Sequence, residues 1–197
     1  MLKPDLLPKQ EEQVNIFIKE AFRYNKTHNL FVRESEEIIY NKDIKDCWPL
    51  IEHIKNNDKI LDVGTGAGFP GVLIAIAKPN LPITLAESNK KKTYFLKKTI
   101  KKLGLQNIKV EESHLTNKAN LGLFSVITAR AFSHTQNIIN ICDPMLQPKG
   151  RYLLLKGKRT KIEEEIESIN KKEHKCEIIK LKNKYEERHI LLIEKLH

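Results

Sequence analysis

The chain has 197 residues, of which 40% are hydrophobic and 30% charged. That is enough apolar material for the core of one ordinary domain, so wholesale disorder is excluded. The longest apolar run, Val72 to Ala77, is far too short for a bilayer span, and no apolar stretch follows Met1-Leu2-Lys3 to make a signal peptide. Cys47, Cys142 and Cys176 are odd in number, widely spaced and without CxxC spacing, which speaks against a disulfide framework and offers no zinc site. A cytosolic chain is expected.

The formal net charge of +10 suggests a polyanion partner, since Lys and Arg gain affinity by releasing counterions from phosphates. Most of the basic residues are lysines in a chain also rich in Asn and Ile, a mixture that A/T-rich coding produces without selection for binding. Position, not charge alone, has to decide.

Apolar residues at Val14, Phe17, Ile18, Ala21 and Phe22 predict a helix over residues 10–25. A basic, Asn-rich stretch, Tyr24 to Phe31, follows, and a second helix is predicted over 36–54 with Ser35 as its cap. From Lys59 the pattern changes to strands at 59–63, 82–86, 108–110, 124–128 and 151–155. These alternate with helices at 72–77, 89–103 (stopped by Gly104), 133–143 and 160–172. Two strands, 176–181 and 189–193, close the chain. The fold class expected is α/β, a mostly parallel sheet covered on both faces with an antiparallel edge strand, behind a helical N-terminal extension. The expected division is residues 1–57 for the extension and 58–197 for one compact domain. Phe95, Leu96, Ile100 and Leu103 are read as core, Trp48 as packing the N-terminal helices onto the sheet, and Glu163 to Glu165 as a solvated helix face. His53, His134, His174 and His197 are expected at the surface.

The segment Asp62 to Gly71 carries most information. A glycine-rich turn after a first strand brings a ligand against bare backbone. The dinucleotide fingerprint GxGxxG is not met, because position 69 is Phe and the spacing is GxGxG at Gly64, Gly66 and Gly68. No Gly-Lys-Ser/Thr follows, so it is no Walker loop either. Glu87 ends the second strand, where a carboxylate can accept both hydroxyls of a ribose. Loop and acid together point to S-adenosylmethionine as cofactor, bound at Gly64, Gly66, Gly68 and Glu87.

With these residues the chain resembles the bacterial small-subunit rRNA guanine-N7 methyltransferases, the glucose-inhibited division protein B family. The matching segments are His28-Asn29-Leu30, Asp62 to Gly71, Glu87 to Lys92, Phe95-Leu96, Ala129-Arg130-Ala131-Phe132, Leu155-Lys156-Gly157 and Glu187-Arg188-His189. The resemblance implies a class I methyltransferase fold, S-adenosylmethionine as methyl donor, and N7 of one guanine in 16S rRNA, or in the small ribosomal subunit, as acceptor. It implies cofactor contacts at Gly64, Phe69, Leu115, Thr116 and Arg130. It also associates Asn29, Lys91, Lys156 and Arg188 with RNA or catalysis. On that basis Arg130 and Asn29 are the catalytic candidates, and Lys91, Lys156 and Arg188 the RNA-binding ones. No metal and no membrane are expected, and a monomer is. The chain departs from the family's pattern at His114 and Thr116, where an Arg and a Glu are usual. It departs again at Asp43 and Asp46-Cys47, where a His and then an Asp-Ser are usual.

Guanine N7 carries a free lone pair and needs no deprotonation, so alignment of nitrogen, methyl and sulfur, with tolerance of the charge developing on the purine, is the task. N7 of a paired guanine in A-form RNA lies in a groove too narrow for side chains, so an unpaired or extruded base is expected as target. Lys90, Lys91 and Lys92 fall in the first turn of their helix, where cations oppose the helix dipole by roughly 0.3–1 kcal/mol each. Phosphate contact is the compensation expected, for Lys91 above all. The alternatives are a class I methyltransferase with a protein or small-molecule substrate, and an RNA-binding scaffold without activity.

Overall fold

The structure, a computed structural model, describes residues 4–28, 33–182 and 186–197. Ahead of Lys59 it is helical: α1 (Pro8–His28), α2 (Glu36–Ile39) and α3 (Lys45–Ile51). Ser35 caps α2, its hydroxyl accepting the Ile38 amide at 3.1 Å. The single helix expected over 36–54 is interrupted, because a π-helical turn at Tyr40–Ile44 joins α2 to α3. Such wider turns shift the helix face by a residue and recur at functional sites. This one carries Asp43, which is only 3% exposed.

Seven strands follow: β1 (Ile60–Val63), β2 (Ile83–Glu87), β3 (Ile108–Glu112), β4 (Phe124–Arg130), β5 (Leu146–Lys156), β6 (His174–Leu181) and β7 (Arg188–Lys195). They make one sheet in the order β3-β2-β1-β4-β5-β7-β6. Strands β1 to β5 pair in parallel. The last two strands supply the antiparallel end, β7 running against both β5 and β6. Between the strands lie α4 (Gly71–Ala77), α5 (Lys90–Leu103), α6 (Thr135–Cys142) and α7 (Arg159–Glu167), which pack on the sheet. β5 begins earlier than its apolar run, and α7 stops at Glu167 where residue 172 was expected.

The strand period of two sorts side chains into two layers. Ile60, Leu85, Val126 and Leu153 join a core with α1, α3, α4 and α5, while Leu61, Val63, Ile127 and Leu154 join another with α6 and α7. Trp48, 1% exposed, belongs to the first core together with Phe17 and Ile60, so the N-terminal helices and the sheet bury one continuous apolar surface. Each such fully buried side chain contributes about 1.5–3 kcal/mol. The stripe of α5 (Phe95, Leu96, Ile100, Leu103) is buried as expected, and Gly104 ends the helix in the left-handed conformation at φ 66°.

Two surface expectations are corrected. His174 is buried and lies 3.2 Å from Asp143 Oδ1, because β6 turns it inward beneath the Tyr152 ring. Glu165 is not solvated like its neighbours. It accepts the Lys156 ammonium at 2.7 Å and the Thr135 amide at 3.0 Å, so it caps α6 from another helix.

Candidate active site

The loop after β1 is built around Asp62, a fully buried carboxylate. Its Oδ2 accepts Thr65 Oγ1 at 2.5 Å and the Gly71 amide at 2.9 Å, and its Oδ1 accepts Thr128 Oγ1 of β4 at 3.0 Å. One side chain thus pins both ends of the glycine loop to the neighbouring strand. Burial pushes its carboxyl up to about 6, against the pull of these donors. Gly64 has φ +60°, and a Cβ there would lie 2.0 Å from Cδ2 of Phe132, so the loop and the Phe132 ring fit only because the side chain is absent.

Glu87 ends β2 beside this loop. Its Oε2 accepts the Gly66 amide and its Oε1 the Asn89 amide, both at 2.9 Å. A carboxylate offers about four acceptor positions, so two remain for a diol. A cavity of about 260 Å³ opens here, lined by Gly64, Glu87, Lys92, His114, Leu115 and Phe132. It lies at the carboxyl ends of β1, β2 and β4, where chain crossovers diverge and open α/β sheets bind ligands. The donor set fits a nucleoside: bare backbone at Gly64, an acid for ribose hydroxyls, and apolar Leu115 for a base.

A second cavity, about 320 Å³, adjoins the first and shares Ala131 and Phe132 with it. Its polar lining is Arg33, Asp46, Arg130, Ser133, Lys156 and Arg188. Every cation in it is held by a carboxylate. Asp43 accepts Arg33 Nε at 2.7 Å and also the Arg130 guanidinium, which lies 5.7 Å from the centre of the Phe69 ring. Asp46 accepts Arg188 Nε at 3.0 Å, and Glu165 holds Lys156. The acids come from the π-helical turn, α3 and α7, while the bases come from β4, β5, β7 and the segment before α2. The cations are therefore fixed in place and largely neutralised.

The sequence profile of the family described as rRNA small subunit methyltransferase G matches residues 10–191. The chain belongs to that family. Its relatives include the ribosomal RNA small subunit methyltransferase G of Brachyspira hyodysenteriae, 37% identical over 86% of this chain and 83% of that one. The protein of the same name from Cellvibrio japonicus is 33% identical over 94% and 87%. Among solved structures, a methyltransferase from Pyrococcus furiosus superposes with a TM-score of 0.66 over 93% of this chain and 98% of that one, at 16% identity. That likeness supports the fold, a class I methyltransferase, and the family makes the chain an rRNA methyltransferase.

Within this methyltransferase frame the expected site residues fall into two groups. Gly64, Glu87 and Leu115 line the first cavity, and Arg130, Lys156 and Arg188 the second. Gly66 and Gly68 shape the loop from behind, Gly66 through its bond to Glu87 and Gly68 through packing on Val72 and Leu96. Phe69 is buried against Phe17 at 5.1 Å between ring centres. Thr116 is exposed and accepts the Lys118 amide, while His114, the other departure, lines the cavity. Lys91 is exposed at the start of α5 and Lys92, not Lys91, lines the cavity. Asn29 lies outside the described residues. The sequence reading missed Arg33, Asp43 and Asp46 as a group. Only ion pairs mark them: Arg33 pairs with Asp43 nearby in the chain, and Asp43 and Asp46 pair with Arg130 and Arg188 far along it. Among the described residues no helix is long and apolar enough to cross a membrane, and no cluster of metal-ligating side chains occurs.

Proposed function

We propose that this chain transfers a methyl group from S-adenosylmethionine to N7 of a guanine in 16S rRNA, the first cavity taking the cofactor's nucleoside and the second the guanine. The observation that carries this reading is the meeting of the two cavities at Ala131 and Phe132, just after Arg130. The cofactor, when bound, supplies an electrophilic methyl group on a sulfonium. Glu87 and the Gly64 backbone hold its ribose and fix its depth. Leu115 packs beside its purine.

In the second cavity the chain's task is to orient the base. No titratable group is needed to take a proton, because N7 attacks with a lone pair. What is needed is a field that tolerates the positive charge arriving on the purine. Arg130, Lys156 and Arg188 would oppose it if bare, but each is paired with a carboxylate. The pairs leave guanidinium and ammonium edges as donors for O6 and for phosphate, with little net charge to repel the product. Arg130 is thus a catalytic residue that orients the base at the junction. Lys156, Arg188 and the exposed Lys91 meet the RNA.

Incubation of the protein with labelled S-adenosylmethionine and undermethylated small ribosomal subunits tests the reading. Label recovered as 7-methylguanine in 16S rRNA supports it. Cofactor binding with no label in RNA would move the substrate outside RNA, and failure to bind cofactor would leave only a scaffold.

A further inference from the structure

Every charged side chain on α5 is a lysine, and the helix presents them outward. Lys90, Tyr94, Lys97 and Lys101 recur at four- and three-residue steps along one stripe, with Lys91 and Lys98 beside it, all exposed. Tyr94 is 60% exposed, although tyrosine ordinarily buries its ring. Among the described residues, Lys102 is the α5 lysine that pairs with an acid, Glu20 at 2.7 Å, and Lys90, Lys91, Lys97, Lys98 and Lys101 have no carboxylate in ion-pair range. This contrasts with the cations of the second cavity, each of which is paired. The stripe begins at the rim of the cofactor cavity, which Lys92 lines, and runs about 16 Å down the flank of the domain at a rise of about 1.5 Å per residue.

We propose that the outer face of α5 is a docking surface for the backbone of the RNA substrate, its free lysines meeting successive phosphates and Tyr94 stacking on an unpaired base. The inference rests on the RNA reading above and adds a surface outside both cavities. Charge complementarity selects the occupant. Unpaired ammonium groups with an aromatic ring between them match a single-stranded segment, whose phosphates need cations and whose bases need a flat apolar face. A second copy of the chain would bring the same cations against each other.

Salt dependence of binding separates this docking from diffuse attraction. Each phosphate neutralised in a single strand contributes about 0.7 to the slope of log K against log salt. The triple variant Lys97→Gln, Lys98→Gln, Lys101→Gln, which keeps good helix formers, is compared with Lys171→Gln, Lys172→Gln, Lys175→Gln. The second set removes the same charge from exposed positions at the β6 end of the sheet. The probe is a 16S rRNA transcript. The α5 variant is expected to lower the slope by about two, so that between 50 and 200 mM salt it loses roughly twentyfold less affinity than the wild type. The control should keep the wild-type slope. Tyr94→Ala should weaken binding about tenfold or more with the slope unchanged. Equal slopes for the two triple variants would overturn the docking surface, and a Tyr94→Ala variant that binds like the wild type would overturn the stacking. Neither result touches the RNA reading itself, which is decided by whether the wild-type protein methylates 16S rRNA.

Discussion

Asp43 and Arg130 are joined by an ion pair that bridges the N-terminal helices and the end of β4. The same carboxylate takes both Nε and a terminal nitrogen of Arg33, so one acid anchors two arginines of the second cavity. Asp43 is nearly inaccessible and the Arg130 side chain retains 17% exposure. Removing the acid would take from both guanidinium groups the carboxylate that joins them. Breaking a buried pair in this way costs about 3–5 kcal/mol. Asp43→Ala is expected to destabilise the protein by close to the lower figure, since the arginines keep some water, and to lower turnover on RNA more than cofactor affinity. Denaturant titration, turnover and cofactor calorimetry read the three quantities. A variant with unchanged turnover would show that Arg130 does not depend on Asp43 for its position.

Gly64 and the Phe132 ring make a sharper case. A methyl group at position 64 would overlap the ring, and the backbone there is left-handed, which costs an L-residue about 1–2 kcal/mol. Gly64→Ala is expected to push Phe132 out of the wall shared by both cavities. Loss of cofactor binding by at least about tenfold should follow, measured by calorimetry, because each 1.4 kcal/mol is a factor of ten. Adding Phe132→Ala removes the overlap but not the backbone strain, so the double variant should recover part of the binding and not all of it.

The sequence was most legible where local chemistry sets the structure. The glycine loop, Glu87 at the end of β2, Ser35 as a cap and Gly104 as a stop are local features, and all stand where they were expected. The terminal strand pair was readable as well, though both strands begin a residue or two earlier than expected. The paired charges were not. Asp43 faces inward because a π-helical turn shifts the helix by a residue, which apolar periodicity cannot reveal in so short a segment. Glu165 sits in a run of three acids that reads as solvated, and only the approach of β5 to α7 brings Lys156 to it. His174 was read as a surface residue because its strand begins earlier than its apolar residues do.

Glu165 therefore carries a prediction of its own. Burial pushes its carboxyl up, but the hydrogen bonds from Lys156 and Thr135 more than reverse this, and it titrates below the ordinary glutamate value. Glu165→Gln keeps an acceptor for the Thr135 amide and removes the charge that holds Lys156. A loss near 1 kcal/mol is expected, the size of a helix cap, together with a higher KM for RNA as Lys156 loses its fixed position. Glu163→Gln, whose partner Arg159 is half exposed, should change neither by more than about 0.5 kcal/mol.

Asp62 predicts a pH dependence of opposite sign to that of most carboxylates. Its folded pKa, about 6, lies above the ordinary value of 3.8 because burial outweighs three hydrogen bonds. Between those two values the folded state holds a proton that the unfolded state has released, so stability falls as pH rises. The contribution is fully present below about 3.8 and is lost by the time pH passes about 6. Glu20, Asp143, Glu165 and Glu186 are all shifted downward, and they lose their contribution as pH falls below the usual glutamate and aspartate range. Asp62→Asn cannot ionise, and is expected to flatten the stability profile between pH 4 and 6 relative to the wild type while leaving the acid limb intact. Equilibrium unfolding in urea at half-unit pH steps measures both limbs. If wild type and variant ran parallel through that window, Asp62 would be ionised across it in the folded state, and the glycine loop would be held there by a charged carboxylate.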